Sequence, residues 1–310
     1  MTEPHDEHPS PPVFADETGE RDHDVLDWLG MGDDEGVIRA RSDDAPLTDR
    51  PDDRPDDRPD DRFAQRVETI AFEALRQGLH DARVASLLHV LGWSDEFSCF
   101  AVAGTPAGAY ATTSTGIRLG IHNLGGRLSL IGRHGHRCAV VAVVHGAATP
   151  EVTCTALLDL FDAHQPVCLV PAQRDLAGAS RVLRAAFSSL AAAPAVQPLP
   201  RPMRADDVLP ERALLGDADA REELYTTVYA SLLREGDDDP TLSTISAFIR
   251  TGGSLDLTAH ELNVHPNTVR YRLKRAAETT GWDATDPREA FVLQTAIAVG
   301  HMRDAAREDS

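Results

Sequence analysis

The stretch "ELNVHPNTVRYRLKR", residues 261–275, decides the fold expected for the carboxy-terminal part of this chain. It contains Lys274, the single lysine among 310 residues. No Asp or Glu occurs from residue 262 to residue 277, although the chain carries a formal charge of −20. Proline is typical of the first position of a helix, and glycine of the residue after its end. The stretch therefore predicts a basic helix that begins at Pro266 and is stopped by Gly281.

The residues before Pro266 predict two shorter helices. The segment "LDLTAHELN", residues 255–263, would turn Ala259 and Leu262 inward, with Asp256 as its N-cap. Before it, "TLSTISAFIRTGG" (241–253) is typical of a helix stopped by its glycine pair. Two short helices joined by the tight turn "NVH", the second longer and basic, form a helix-turn-helix arrangement.

Helical periodicity divides the basic helix into two faces. At about 100° per residue, the predicted buried stripe is Val269, Leu273, Ala276 and Thr280, with Ala277 beside it. The remaining polar side chains are candidates for contacts to base edges and phosphates. These candidate DNA-contacting residues are Asn267, Thr268, Arg270, Tyr271, Arg272, Lys274 and Arg275. An ordinary solvated basic face is the alternative, which the lack of intervening acids disfavours.

Individual roles follow from side-chain chemistry. Asn267 is suited to pair with adenine N6 and N7, and Lys274 or Arg275 with guanine or with phosphate. Arg270 and Arg272 lie at the two edges of the exposed face and are suited to backbone phosphates.

The negative charge is concentrated in residues 1–62, where 21 acids and 7 arginines give a net charge of −14. The other 248 residues have a net charge of −6. Low hydrophobicity, high charge and the repeat "PDDRPDDRPDDR" (51–62) predict a disordered acidic tail over residues 1–62. Its apolar island "DVLDWLGM" (24–31) is either an idle patch or a motif that folds on a partner. The tail is either solubilising or covers the basic helix.

The rest of the chain predicts a mixed α+β protein. Apolar spacing of three and four predicts a helical segment over 63–93. Residues 94–200 alternate strands and helices and predict an α/β domain, including a hairpin across "RHGH" at 133–136. A helical connector at 201–240 then leads to the helix-turn-helix domain at 241–310.

Candidate catalytic and metal-binding groups are few. The alternate spacing of His134, His136 and Cys138 would place all three on one side of a strand, as metal ligands require. The flanking glycines instead predict that His134 lies in a turn. Asp159 and Asp162 are interpreted as a solvated helix face. Neither a GxxxxGK[ST] phosphate loop nor a GxSxG elbow occurs in the sequence. We therefore expect no enzyme, no cofactor and no metal.

The four cysteines, at 99, 138, 154 and 168, form no CxxC pair and are expected to be reduced, buried thiols. The longest apolar run, residues 138–144, is too short to cross a bilayer, and the amino terminus does not look like a signal peptide. We expect a cytoplasmic protein without a membrane partner.

The stretch "SLDLTAHELNVHPNTVRYRLKRAAETTGWDATDPREAFVLQTAIAVG" is similar to the carboxy-terminal domain of the PucR/CdaR-type bacterial transcription regulators. The segments "DDVLPERALLGDADAREELYTTVYASLL" and "LSLIGRHGHRCAVVAVV" more weakly resemble the actinobacterial branch, which includes an activator of fatty-acid biosynthesis genes. The resemblance implies a degenerate GGDEF-like fold for the α/β domain. No GGDEF-type acidic motif occurs there, so no cyclase activity is implied.

The leading hypothesis is a sequence-specific regulator that binds double-stranded DNA as a homodimer, because two-fold operators match dimeric readers. The resemblance implies an activator of lipid biosynthesis genes that acts with RNA polymerase, and no small-molecule effector is identified. Three alternatives remain: an adaptor that acts through the acidic tail, an α/β enzyme with an accessory DNA-binding domain, and a regulator of another pathway.

Overall fold

The computed structural model describes residues 59–233 and 240–308. The predicted acidic tail and its apolar island lie outside these residues, except for residues 59–62 at the start of the first helix. The described residues confirm the mixed α+β class. None of their helices has the length and apolarity needed to cross a bilayer.

One five-stranded sheet forms the centre of the amino-terminal part. Its strands are β1 (Ser98–Gly104), β2 (Ser129–His134), β3 (Arg137–Val143), β4 (Val167–Arg174) and β5 (Met203–Arg204). Their order across the sheet is β2-β3-β1-β4-β5, and only the pair β4-β5 is parallel. The strands β1, β3 and β4 carry continuous buried runs because helices cover both faces of the sheet.

The predicted hairpin is confirmed as β2 and β3, but its turn is tighter than expected. His134 is the last residue of β2 and pairs with Arg137, so the prediction that His134 lies in a turn is wrong. The turn needs only two residues because Gly135 adopts a φ of 60°, which glycine accepts without steric strain.

Three helices cover one face of the sheet and two cover the other. The first layer is α1 (Pro59–Arg76), α2 (Ala82–Val90) and α5 (Asp175–Ala192). The second layer is α3 (Tyr110–Asn123) and α4 (Pro150–Leu157), with a 3-10 turn at Leu158–Leu160. Alternate residues of β1 pack against the two helix layers. Ala101 and Ala103 belong to the core on one face of the sheet, and Phe100 and Val102 belong to the core on the other face.

Two close contacts hold α1 against the edge strand β2. The ring of Phe72 lies on Gly132, where an added Cβ would be 2.3 Å from the ring. Glu68 is only 9% exposed and accepts hydrogen bonds from the Ile131 N–H at 2.9 Å and from Arg118 at 2.5 Å. The carboxylate thus satisfies an N–H of an edge strand that would otherwise lack a sheet partner.

All elements described after β5 are helical. Those that follow a 3-10 turn at Ala205–Val208 are α6 (Leu209–Leu214), α7 (Ala218–Glu223), a π-helical turn (Leu224–Tyr229), α8 (Ala230–Leu232), α9 (Thr241–Arg250), α10 (Leu255–Glu261), α11 (Pro266–Thr280) and α12 (Pro287–Glu308). They share one core, which includes Leu224, Val228, Phe248, Leu273 and Leu293. We call residues 209–308 the helical part and residues 59–208 the sheet part.

Two arginines tie α6 to its neighbours. Arg212, with a 2% exposed side chain, lies 2.9 Å from the Asp217 carboxylate and donates to Ser188 Oγ on α5 at 3.1 Å. Arg288, in the first turn of α12, donates to both carboxylate oxygens of Glu211 and to the Asp207 carbonyl. These contacts join the sheet part to the helical part through buried and half-buried charges.

Candidate nucleic-acid interface

The helices α10 and α11 form the predicted helix-turn-helix. The N-cap of α10 is Ser254, whose hydroxyl accepts from the Leu257 N–H at 3.3 Å; the predicted cap, Asp256, is wrong because it lies inside the first turn. Asn263 follows α10 with a φ of 52°, a left-handed conformation that asparagine tolerates better than most residues. The reversal at Asn263 allows α11 to begin within three residues.

Both ends of α11 have the predicted form. Pro266 occupies its first turn, and His265 is the N-cap, with its Nδ1 accepting from the Asn267 N–H at 3.2 Å. At the other end Gly281 has a φ of 78°, and its N–H donates to the Ala277 carbonyl at 2.8 Å. Local chemistry therefore fixes the length of the helix at both ends.

The buried stripe of α11 is the one that periodicity predicts. Val269, Leu273 and Ala276 are at most 3% exposed, and Thr280 is 9% exposed. All but Thr280 belong to the core of the helical part. Burial of this stripe leaves the opposite face of α11 to solvent.

The seven candidate residues divide into an exposed group and a half-buried group. Asn267, Arg270, Tyr271 and Lys274 are exposed, with 65% of Tyr271 accessible. Thr268, Arg272 and Arg275 are half-buried. The exposed four recur at three- and four-residue spacing and lie along one face, which we call the recognition face.

Contacts within α11 show which of these side chains are already engaged. Arg270 Nη1 donates to Asn267 Oδ1 at 2.7 Å. Lys274 Nζ lies 3.8 Å from Glu278 Oε1, and both side chains are largely exposed. The exposed ion pair between Lys274 and Glu278 stabilises the helix weakly and is easily exchanged for contacts to a ligand.

Arg272 faces a different direction from the recognition face. Its Nη1 donates to Thr244 Oγ1 at 3.2 Å, and Thr244 is fully buried on α9. The guanidinium thus lies against α9, where it orients α11 on the domain.

His265 is a functional candidate that the sequence patterns above did not single out. Its imidazole is exposed beside the first turn of α11 and holds the Asn267 backbone. The signal was present, because the residue before a helix-opening proline is the capping position.

The sheet part offers no activated nucleophile among its cysteines. All four are free and buried, as expected. Burial raises the pKa of the Cys99, Cys138 and Cys168 thiols to about 12, so the thiols remain protonated. Within residues 59–233 and 240–308, no group of three or more His, Cys, Asp or Glu is placed to hold a metal ion.

Comparison with known proteins places this arrangement in a family. The PucR C-terminal helix-turn-helix domain matches residues 241–299. The Bacillus subtilis purine catabolism regulatory protein is 33% identical over 90 residues, which are 29% of this chain and 17% of that protein.

Longer matches extend through the sheet part. Uncharacterized proteins of Mycobacterium bovis and of two Mycobacterium tuberculosis strains are 36% identical over 247 residues, 76% of this chain. The chain covers 58% of the length of each of these relatives.

A solved structure shares the described architecture. It is the crystal structure of a regulator of polyketide synthase expression from Bifidobacterium adolescentis, with a TM-score of 0.76 and 55% identity. The match covers 77% of this chain and 94% of that one. The family and the solved structure are those of transcription regulators and not of enzymes. This chain belongs to the family of PucR-type helix-turn-helix transcription regulators.

Proposed function

We propose that the protein is a sequence-specific transcription regulator whose helix α11 enters the major groove of double-stranded DNA. The observation that carries the proposal is the recognition face, where Asn267, Arg270, Tyr271 and Lys274 are exposed together. No acidic residue lies on the chain between residues 262 and 277 to oppose a phosphate backbone.

The order of residues along α11 supports this orientation. In a helix-turn-helix the amino-terminal residues of the second helix contact base edges. Asn267 and Arg270 lie in the first turns of α11, and Lys274 lies one turn further, where the helix meets a phosphate strand. The amino-terminal end of α11 also carries the positive end of the helix dipole, which favours an approach to phosphates.

The half-buried candidates have supporting roles. Arg272 contacts Thr244 on α9 and holds the angle of α11, and we propose that its remaining donors contact a phosphate at the edge of the groove. Thr268 and Arg275 flank the recognition face and are proposed as phosphate contacts.

Finer aspects of the proposal rest on the resemblance and on the relatives. Two-fold symmetric operators favour a homodimer. We propose that the protein is an activator that contacts RNA polymerase and acts in the cytoplasm. The solved relative is described as a regulator of polyketide synthase expression. Polyketides and fatty acids are both built from acyl units, so acyl-chain biosynthesis genes are the proposed targets.

Selection from a randomised duplex library tests the proposal directly. We expect the full chain to enrich one motif and to bind it with an affinity that falls as salt rises. Each lost phosphate contact should reduce the slope of log K against log salt by about 0.9. Lys274→Ala should reduce that slope, and Asn267→Ala should relax selection at one base pair.

A matched control is Arg83→Ala, which should leave binding unchanged. This substitution removes an exposed arginine of α2 that pairs with Asp81. A library that yields no enriched motif, together with salt-independent binding, would contradict the proposal. That result would favour the adaptor that acts through the acidic tail.

A further inference from the structure

The first two turns of α11 contain a preformed pair on the recognition face. Arg270 Nη1 donates to Asn267 Oδ1 at 2.7 Å, the short distance typical of a hydrogen bond from a charged donor. The residues are three apart, so the helix itself keeps them side by side. Asn267 is held a second time, because its backbone N–H donates to His265 Nδ1. Asn267 and Arg270 therefore meet DNA as a hydrogen-bonded pair, in which Asn267 Oδ1 already accepts one donor.

This pairing changes what Asn267 can recognise. Bidentate recognition of adenine requires the asparagine oxygen to accept from N6 and the amide nitrogen to donate to N7. In the folded protein the oxygen already accepts from Arg270. A second lone pair remains, but the guanidinium donors of Arg270 would then lie beside the adenine amino group, and two donors would face each other.

Guanine presents the opposite pattern in the major groove, since its N7 and O6 are both acceptors. The amide nitrogen of Asn267 and the remaining N–H groups of Arg270 are all donors. We propose that Asn267 and Arg270 act as one specificity-determining unit that directs its amide and guanidinium donors to the base edge and selects guanine. The inference rests on the proposed function, and it replaces adenine as the partner of Asn267.

The proposal gives Arg270 a role beyond charge. A phosphate contact alone would lower the affinity for all sequences equally when removed. A partner of Asn267 instead determines which base Asn267 accepts. When Arg270 is absent, the amide oxygen is released and the bidentate pattern for adenine becomes available.

Library selection on the full-length protein tests the inference. The relevant base pair is the one whose preference disappears in Asn267→Ala. At that position the unmodified protein should enrich guanine, and Arg270→Ala should enrich adenine. The guanine-to-adenine preference ratio should change by about tenfold or more, within the range of one good bidentate contact.

The matched control is Lys274→Ala, which removes a cation from the same face and leaves the Asn267–Arg270 pair intact. It should weaken binding and keep guanine at this position. Three outcomes would overturn the inference while leaving DNA binding established. The unmodified protein could select adenine, Arg270→Ala could select the same base as the unmodified protein, or Asn267→Ala could leave the preference at every position unchanged. Failure of the unmodified protein to enrich any motif would instead overturn the proposed function, and this inference with it.

Discussion

Polar side chains buried inside the fold and polar side chains on the recognition face have opposite environments. Glu68 is 9% exposed and both of its oxygens accept hydrogen bonds, and Ser188 on α5 shares the buried pair of Arg212 and Asp217. On α11 the Lys274 side chain is 78% exposed and its contact to Glu278 is long. The difference separates polar groups that hold the fold from polar groups that remain available to a ligand.

Breaking the Arg212–Asp217 pair should have the largest effect on stability. Burial alone would raise the pKa of the Asp217 carboxyl, but Arg212 and Ser188 outweigh burial and hold that pKa below its usual range. Arg212→Ala would leave a buried carboxylate without its cation, which should cost about 3–5 kcal/mol of unfolding free energy. Urea denaturation measures this loss.

The exposed pair Arg83–Asp81 is the control for burial. Arg83→Ala should leave the unfolding midpoint nearly unchanged, because solvent screens an exposed ion pair. Equal losses for Arg212→Ala and Arg83→Ala would refute the distinction between buried and exposed charges.

Overpacking should have an intermediate effect, and it tests the rigidity of the helical core. A Cβ at Gly300 on α12 would lie 2.3 Å from the ring of Tyr229, which is 4% exposed and donates its hydroxyl hydrogen to Asp304. The ring cannot move away freely, so Gly300→Ala should cost about 1–3 kcal/mol in thermal or urea unfolding.

Gly108→Ala is the matched substitution in the sheet part. A Cβ at Gly108 meets nothing within 4 Å, so this variant should unfold with an unchanged midpoint. A Gly300→Ala protein as stable as the Gly108→Ala protein would show that the helical core yields around Tyr229.

The smallest difference in stability should be the one between alanine variants of Arg270 and Arg272 on α11. Arg272→Ala removes the hydrogen bond to buried Thr244 and should cost about 1–2 kcal/mol. Arg270→Ala changes only the exposed surface and should stay within about 0.5 kcal/mol. Unfolding midpoints for the two variants, measured without DNA, decide this point; a larger loss for Arg270→Ala would contradict it.

Local chemistry made α11 predictable from sequence. Its limits follow from Pro266 and Gly281, and its buried face from the spacing of Val269, Leu273 and Ala276. The contact between Asn267 and Arg270 also follows from their three-residue spacing, although spacing alone does not show which atoms meet.

Other features depend on tertiary packing and were missed. The helix α3, with the sequence "YATTSTGIRLGIHN", is rich in Thr and Gly, which are weak helix formers, and it is stabilised by burial of Thr113, Ile117 and Ile121. The contact from Arg272 to Thr244 spans 28 residues and depends on how α9 crosses α11. No local pattern encodes that crossing.

The π-helical turn at Leu224–Tyr229 has a consequence for how this region can change in evolution. Such a turn holds one residue more than the α-helix around it requires. Here it lets Tyr225 and Tyr229 donate to the two oxygens of Asp304 while Leu232 stays buried. A single-residue deletion would rotate the downstream residues by about 100° and separate these groups. Length is therefore constrained more strictly than composition in this segment, and homologous genes should accumulate substitutions there far more readily than in-frame codon losses.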